Sequence, residues 1–223
     1  MSVFRDFEQA LNESERRVWA GLTTPMKIQA FLDRLPYSVE TGYRCPLRVL
    51  REHMAHCFDG ALFAAATLHR LGNPPLILNM ISNDEDDDHI LALFKRDGYW
   101  GAIAKSNFSG LRFREPVYRT LRELVMSYFE QFYNVERKKT LRSYTVPLHL
   151  KAFDKFNWMI SDPPIEKIGK RLDEIRKVRI LTRSMIGSLS LVDERSCQAG
   201  LVGTNRAGLY QPDKRTRRKP EKF

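Results

Sequence analysis

No stretch of the 223-residue chain approaches the roughly 20 consecutive apolar residues that a membrane-spanning helix requires, so no membrane span is expected. Cysteine is sparse: Cys45, Cys57 and Cys197 are widely spaced and form no C-x-x-C pair. That argues against a zinc site and a disulfide framework, and no metal or other cofactor is expected. The first residues, Met1-Ser2-Val3-Phe4-Arg5-Asp6-Phe7-Glu8, carry charges where a secretory signal has an apolar block, which makes a cytoplasmic location the expectation. No internal repeat is visible. The acidic run Asp84-Glu85-Asp86-Asp87-Asp88 lacks the glycine and spaced carboxylates of a calcium loop, and it reads as a solvated, mobile loop.

What is present is ordinary globular material, with 43% hydrophobic and 29% charged residues. A single domain over residues 1–210 is expected, followed by a basic tail over 211–223. The tail carries +4 of the formal +10 charge. It has no apolar period and reads as disordered. No aromatics interleave with its cations, so it is suited at most to weak, non-specific contact with an anionic partner.

Helical spacing of Val3, Phe4, Phe7, Leu11, Val18 and Trp19 predicts one amphipathic helix over 3–19. Thr23-Thr24-Pro25 starts a second, which Pro36 stops. Pro46 opens a short helix that delivers the chain to Cys57, and the helix beginning there ends at Leu71 with Gly72 as its stop. Residues 76–81 read as a buried strand. His89-Ile90-Leu91-Ala92-Leu93-Phe94 and Tyr99-Trp100-Gly101-Ala102-Ile103-Ala104 read as a hairpin around Asp97-Gly98, a turn that pairs Arg96 with Tyr99. A long helix over 120–134, a strand over 144–146 and a helix over 165–180 complete the pattern.

Cys57 stands at a helix start, where free backbone N–H groups and the positive dipole end favour the thiolate. His89, opening a strand downstream, is the expected general base. Cys57 with its alanine-rich helix, His89, and a tryptophan strand after a tight turn resemble the core of the transglutaminase-like superfamily, relatives of papain-type proteases. The resemblance covers about residues 45–110. It implies an α+β fold in which the cysteine starts a central helix packed on an antiparallel sheet, with helical additions on both sides. It also implies Cys–His acyl transfer on an amide, thioester or ester, with a protein, peptide or small amide as substrate.

In that family a catalytic Asp follows the tryptophan after three intervening residues. Here that place holds Ala104. Asn107 is the candidate replacement, because an amide oxygen can accept the histidine N–H. The loop over 105–116 offers Arg112 and Arg114 to an anionic substrate group. Trp100 and His56 are the remaining candidate substrate contacts, with His56 at the pocket rim; His53, His56 and Cys57 lack a further ligand for a metal. Two rival readings stand beside the enzyme: a binding domain that keeps the scaffold without chemistry, motivated by Ala104, and an adaptor acting through the basic tail.

Overall fold

The computed structural model describes residues 3–40 and 42–210, so the basic tail lies outside the described residues. The chain is a mixture of helices and antiparallel sheet. It opens with α1 (Val3–Ala10), α2 (Glu13–Gly21), α3 (Pro25–Arg34), α4 (Pro46–Glu52) and α5 (Cys57–Arg70). Where the apolar spacing predicts one helix over 3–19 there are two, because Asn12 starts a new one. Its side chain accepts the Glu15 N–H at 2.9 Å while Glu15 reaches back to the Asn12 N–H at 2.8 Å. This reciprocal cap satisfies donors that a continuous helix would have paired internally. α3 starts as expected, with Thr24 accepting from the Lys27 N–H and Pro25 in the first turn.

β1 (Leu76–Ser82), β2 (His89–Arg96), β3 (Tyr99–Ile103) and β4 (Arg114–Tyr118) follow, then α6 (Leu121–Met126), β5 (Leu141–Thr145), β6 (Leu148–His149), α7 (Pro163–Glu174), β7 (Lys177–Arg179), α8 (Arg183–Gly187) and α9 (Glu194–Gly200). The sheet is antiparallel in the order β4-β3-β2-β1-β5-β7, with β6 also on β1. The β2–β3 turn is the expected one: Asp97 and Gly98 take φ of 53° and 85°, and Arg96 faces Tyr99.

Three further expectations from the sequence are corrected. The predicted helix over 120–134 ends at Met126, and a short 3-10 turn follows at Phe129–Gln131. Arg114 crosses from β4 and donates to the Ser127 carbonyl at 3.1 Å and its hydroxyl at 3.0 Å, withdrawing groups a longer helix would use. The predicted helix over 165–180 stops at Glu174, because residues 177–179 pair with β5. The acidic loop is tied down: Asp86 accepts from Thr140 at 2.5 Å, Glu85 meets Lys138 at 2.6 Å, and Asp88 accepts from the Ser82 N–H at 2.9 Å.

Alternation along the strands divides the core in two. Ile77, Ile90, Ala92, Phe94 and Ile103 pack into one cluster with α5 and the other N-terminal helices. Leu78, Met80, Leu91, Leu93 and Ala102 pack into a second cluster with Leu124, Tyr128 and Phe132. α5 is buried from Cys57 through Leu68, so its small residues are a packing requirement. A Cβ at Gly60 would lie 2.4 Å from the Cβ of Lys105, whose ammonium donates to the carbonyls of Leu32 and Leu35 at the end of α3. Burial lowers the Lys105 pKa to about 8. Gly60→Ala is therefore expected to cost about 2 kcal/mol in urea unfolding, since overpacking outweighs the roughly 1 kcal/mol that alanine adds to a helix. A stabilised variant would show that Lys105 gives way freely.

Candidate active site

Cys57 owes its position to the start of α5. His56 is the extended N-cap, and Asp59, at the third helical position, turns back on it. One Asp59 oxygen accepts the His56 N–H at 3.0 Å, and the other accepts the Arg44 N–H at 2.9 Å. Asp59 is fully buried. Burial pushes its carboxyl up, opposed by those two N–H donors and by the nearby His56 and Arg44. The Arg44 guanidinium, itself buried, lies 3.8 Å from Asp59, bonds Ser38 at 3.0 Å and Glu52 at 2.7 Å, and pairs with Glu40. The segment before α4 and the start of α5 are thereby locked to one carboxylate.

The Cys57 sulfur lies 3.4 Å from Nδ1 and 3.9 Å from Nε2 of His56, and 4.0 Å from the Asp88 carbonyl. Two such similar distances put the sulfur off the lone-pair axis of either nitrogen, so a turn of the ring is needed to bring Nδ1 into line. Burial lowers the His56 pKa, against the pull of Asp59 and Asp87, which favours the neutral imidazole a general base requires. The Tyr37 phenol lies near enough to Cys57 to feel its side chain and backbone. Burial first, and then the neighbouring Cys57 side chain and Asp87, hold that phenol far above its ordinary pKa. Burial beside Asp162 pushes the Cys45 thiol up to about 12, which keeps it inert.

Beside Cys57 opens a cleft of about 410 Å³. Its walls carry His56, Asn79, Asp87 and Asp88 on one side and, from α7, Glu166, Gly169, Lys170 and Asp173 on the other. The α7 residues recur at the three- and four-residue spacing of one helix face. Tyr37, Asn79 and this stripe were not singled out from the sequence; the polar spacing on α7 was the one legible signal.

Of the residues expected to form the site, Cys57 and His56 meet in this cleft, and the others lie elsewhere. His89 has the strand parity of Leu91 and Leu93, which pack in the second cluster, whereas Ile90 and Ala92 face the α5 side. Its Nε2 is 2.8 Å from the Leu111 carbonyl, and no hydrogen bond joins it to Cys57 among the described residues. Asn107 does not orient it: its amide donates to the Asn205 carbonyl and accepts the Asn205 N–H, both at 2.9 Å. The Ala104 backbone pairs with the Gln29 side chain at 3.0 and 3.1 Å.

The arginines are likewise occupied. Arg114 binds the Gly110, Phe113 and Ser127 carbonyls and stacks 3.9 Å over the Tyr128 ring. Arg112 pairs with Asp33 at 3.3 Å and lines a separate cavity with Lys105 and Asn107. Trp100 packs on the second cluster with the Lys95 ammonium 4.2 Å over its ring. The substrate contacts expected of Arg112, Arg114 and Trp100 are thus not in the Cys57 cleft.

No family model and no curated protein matches the chain. Among solved structures, LapG of Legionella pneumophila overlaps 47% of this chain and 73% of its own, at 14% identity and a TM-score of 0.35. An EGTA-treated form of Legionella pneumophila LapG overlaps 75% of this chain and 98% of its own, at 12% identity and a TM-score of 0.40.

Proposed function

We propose that the protein is a cysteine-dependent acyl-transfer enzyme on a transglutaminase-like, papain-like core, with His56 serving Cys57 in place of His89. The observation that carries this reading is the imidazole 3.4 Å from the Cys57 sulfur at a helix start, on the wall of an open cleft. The sulfur bonds to the carbonyl carbon of an amide, ester or thioester while its proton passes to His56. The Cys57 backbone N–H, at the start of α5, receives the oxyanion. Collapse breaks the bond to the leaving group, which departs with the proton from His56. Water or an amine then attacks the acyl thioester and restores the thiol.

The test is p-nitrophenyl acetate. About one equivalent of p-nitrophenolate is expected in a burst, with the acetyl group located on Cys57 by mass spectrometry, and both should vanish in Cys57→Ser. Acetylation confined to Cys197 or to lysines would defeat the reading. A second reading, a binding domain without chemistry, draws support from Ala104, which stands where the family has its catalytic Asp. It expects no burst from the wild type.

A further inference from the structure

We infer that the cleft beside Cys57 takes a substrate carrying a positive charge close to the reacting carbonyl, an arginyl- or lysyl-type amide, with Asn79 receiving one of its N–H groups. The inference deepens the acyl-transfer reading and rests on it. The chain as a whole carries +10, yet four carboxylates line this cleft, Asp87, Asp88, Glu166 and Asp173, against the single ammonium of Lys170. Asp88 is committed to Asn79 and Ser82. Asp87, Glu166 and Asp173 have no cationic partner in an ion pair among the described residues, so their field is available to a ligand in the cleft.

Asn79 is the independent sign of a ligand. It sits on β1 opposite Ile90, with the strand parity of Ile77, which places it on the α5 side of the sheet. It is only 5% exposed and lines the same cavity. Its Nδ2 donates to Asp88 at 2.7 Å, which fixes the amide orientation and leaves Oδ1 as the free acceptor. That Oδ1 is buried without a hydrogen-bond donor. Buried acceptors are nearly always paired, and one left without a donor on a residue that lines a cleft is suited to a donor that arrives with the substrate. Apart from the Lys170 ammonium, the groups left to meet a ligand here are thus an amide acceptor and three carboxylates. A ligand rich in N–H donors and positive charge answers all of them, whereas an anionic one would meet the carboxylates.

The experiment is protection of Cys57 from iodoacetamide, followed on the Cys57 peptide by mass spectrometry, with N-acetyl-arginine methylamide and N-acetyl-glutamate methylamide as probes. The arginine amide is expected to protect at about tenfold lower concentration. Glu166→Gln with Asp173→Asn, both at exposed positions of α7, should remove most of that advantage without threatening the fold. Asn79→Leu should raise the half-protecting concentration of the arginine amide severalfold. Equal protection by both probes, or an advantage unchanged in the α7 double variant, would overturn the inference. The His56 dependence of unprotected alkylation reads the acyl-transfer proposal separately: either result can fail while the other stands.

Discussion

His56→Ala is expected to lower the alkylation rate of Cys57 at neutral pH by about tenfold or more, while His89→Ala leaves it within about twofold. The physical argument is proximity. The His56 ring is the imidazole in contact with the sulfur, and its pKa is lowered by burial, so it remains a neutral base further into acid than a free histidine. His89 is engaged with the Leu111 carbonyl in the second core cluster. The rate should be measured with iodoacetamide across pH and read peptide by peptide, with Cys45 as an unreactive internal control. In the wild type the acid limb should fall below the ordinary histidine range, and in His56→Ala it should disappear. If instead His89→Ala removes the reactivity and His56→Ala spares it, the arrangement implied by the family resemblance operates, and the ring must reach Cys57 by a movement of β2.

The second large effect is on stability. Asp59→Ala is expected to cost about 3 kcal/mol in denaturant unfolding. Its two oxygens accept two different backbone N–H groups, from Arg44 and His56, and the bond to Arg44 is fully buried. Arg44 keeps Glu40, Glu52 and Ser38, so the guanidinium is not abandoned; the loss falls on the two amides and the helix cap. Asp59→Asn, with one acceptor oxygen, should cost about half as much. Because the same carboxylate positions His56, the asparagine variant should also slow Cys57 alkylation while still folded. An Asp59→Ala variant as stable as the wild type would mean that the pairing at the α5 start is replaceable.

Local signals made much of the frame legible. Proline at the first turn of α3 and α4, the glycine stop after α5 and the Asp-Gly hairpin each act through backbone geometry within a few residues. The elements that departed from the sequence reading did so where distant groups competed for the same backbone. Arg114 takes the Ser127 carbonyl that would have extended α6, and β5 takes the residues that would have extended α7. The split of the first helix is a local matter, since the cap reaches only from Asn12 to Glu15 and lies beneath an apolar spacing that runs through it.

At the site, neighbouring residues are enough to show that Cys57 begins a small-residue helix, because a helix start and its packing demands are local. It also put His89 at the head of its strand. Which imidazole lies beside the thiol depends on the packing of the whole chain. That choice turns on strand parity, which is a property of which face of the sheet α5 covers, and a one-residue difference in parity sends a side chain to the other core. Tyr37, Asn79 and the acidic stripe of α7 come to Cys57 from separate stretches of the chain. No local pattern could join them, because their chemistry depends on through-space distance and shared burial, which arise when the sheet and helices pack together.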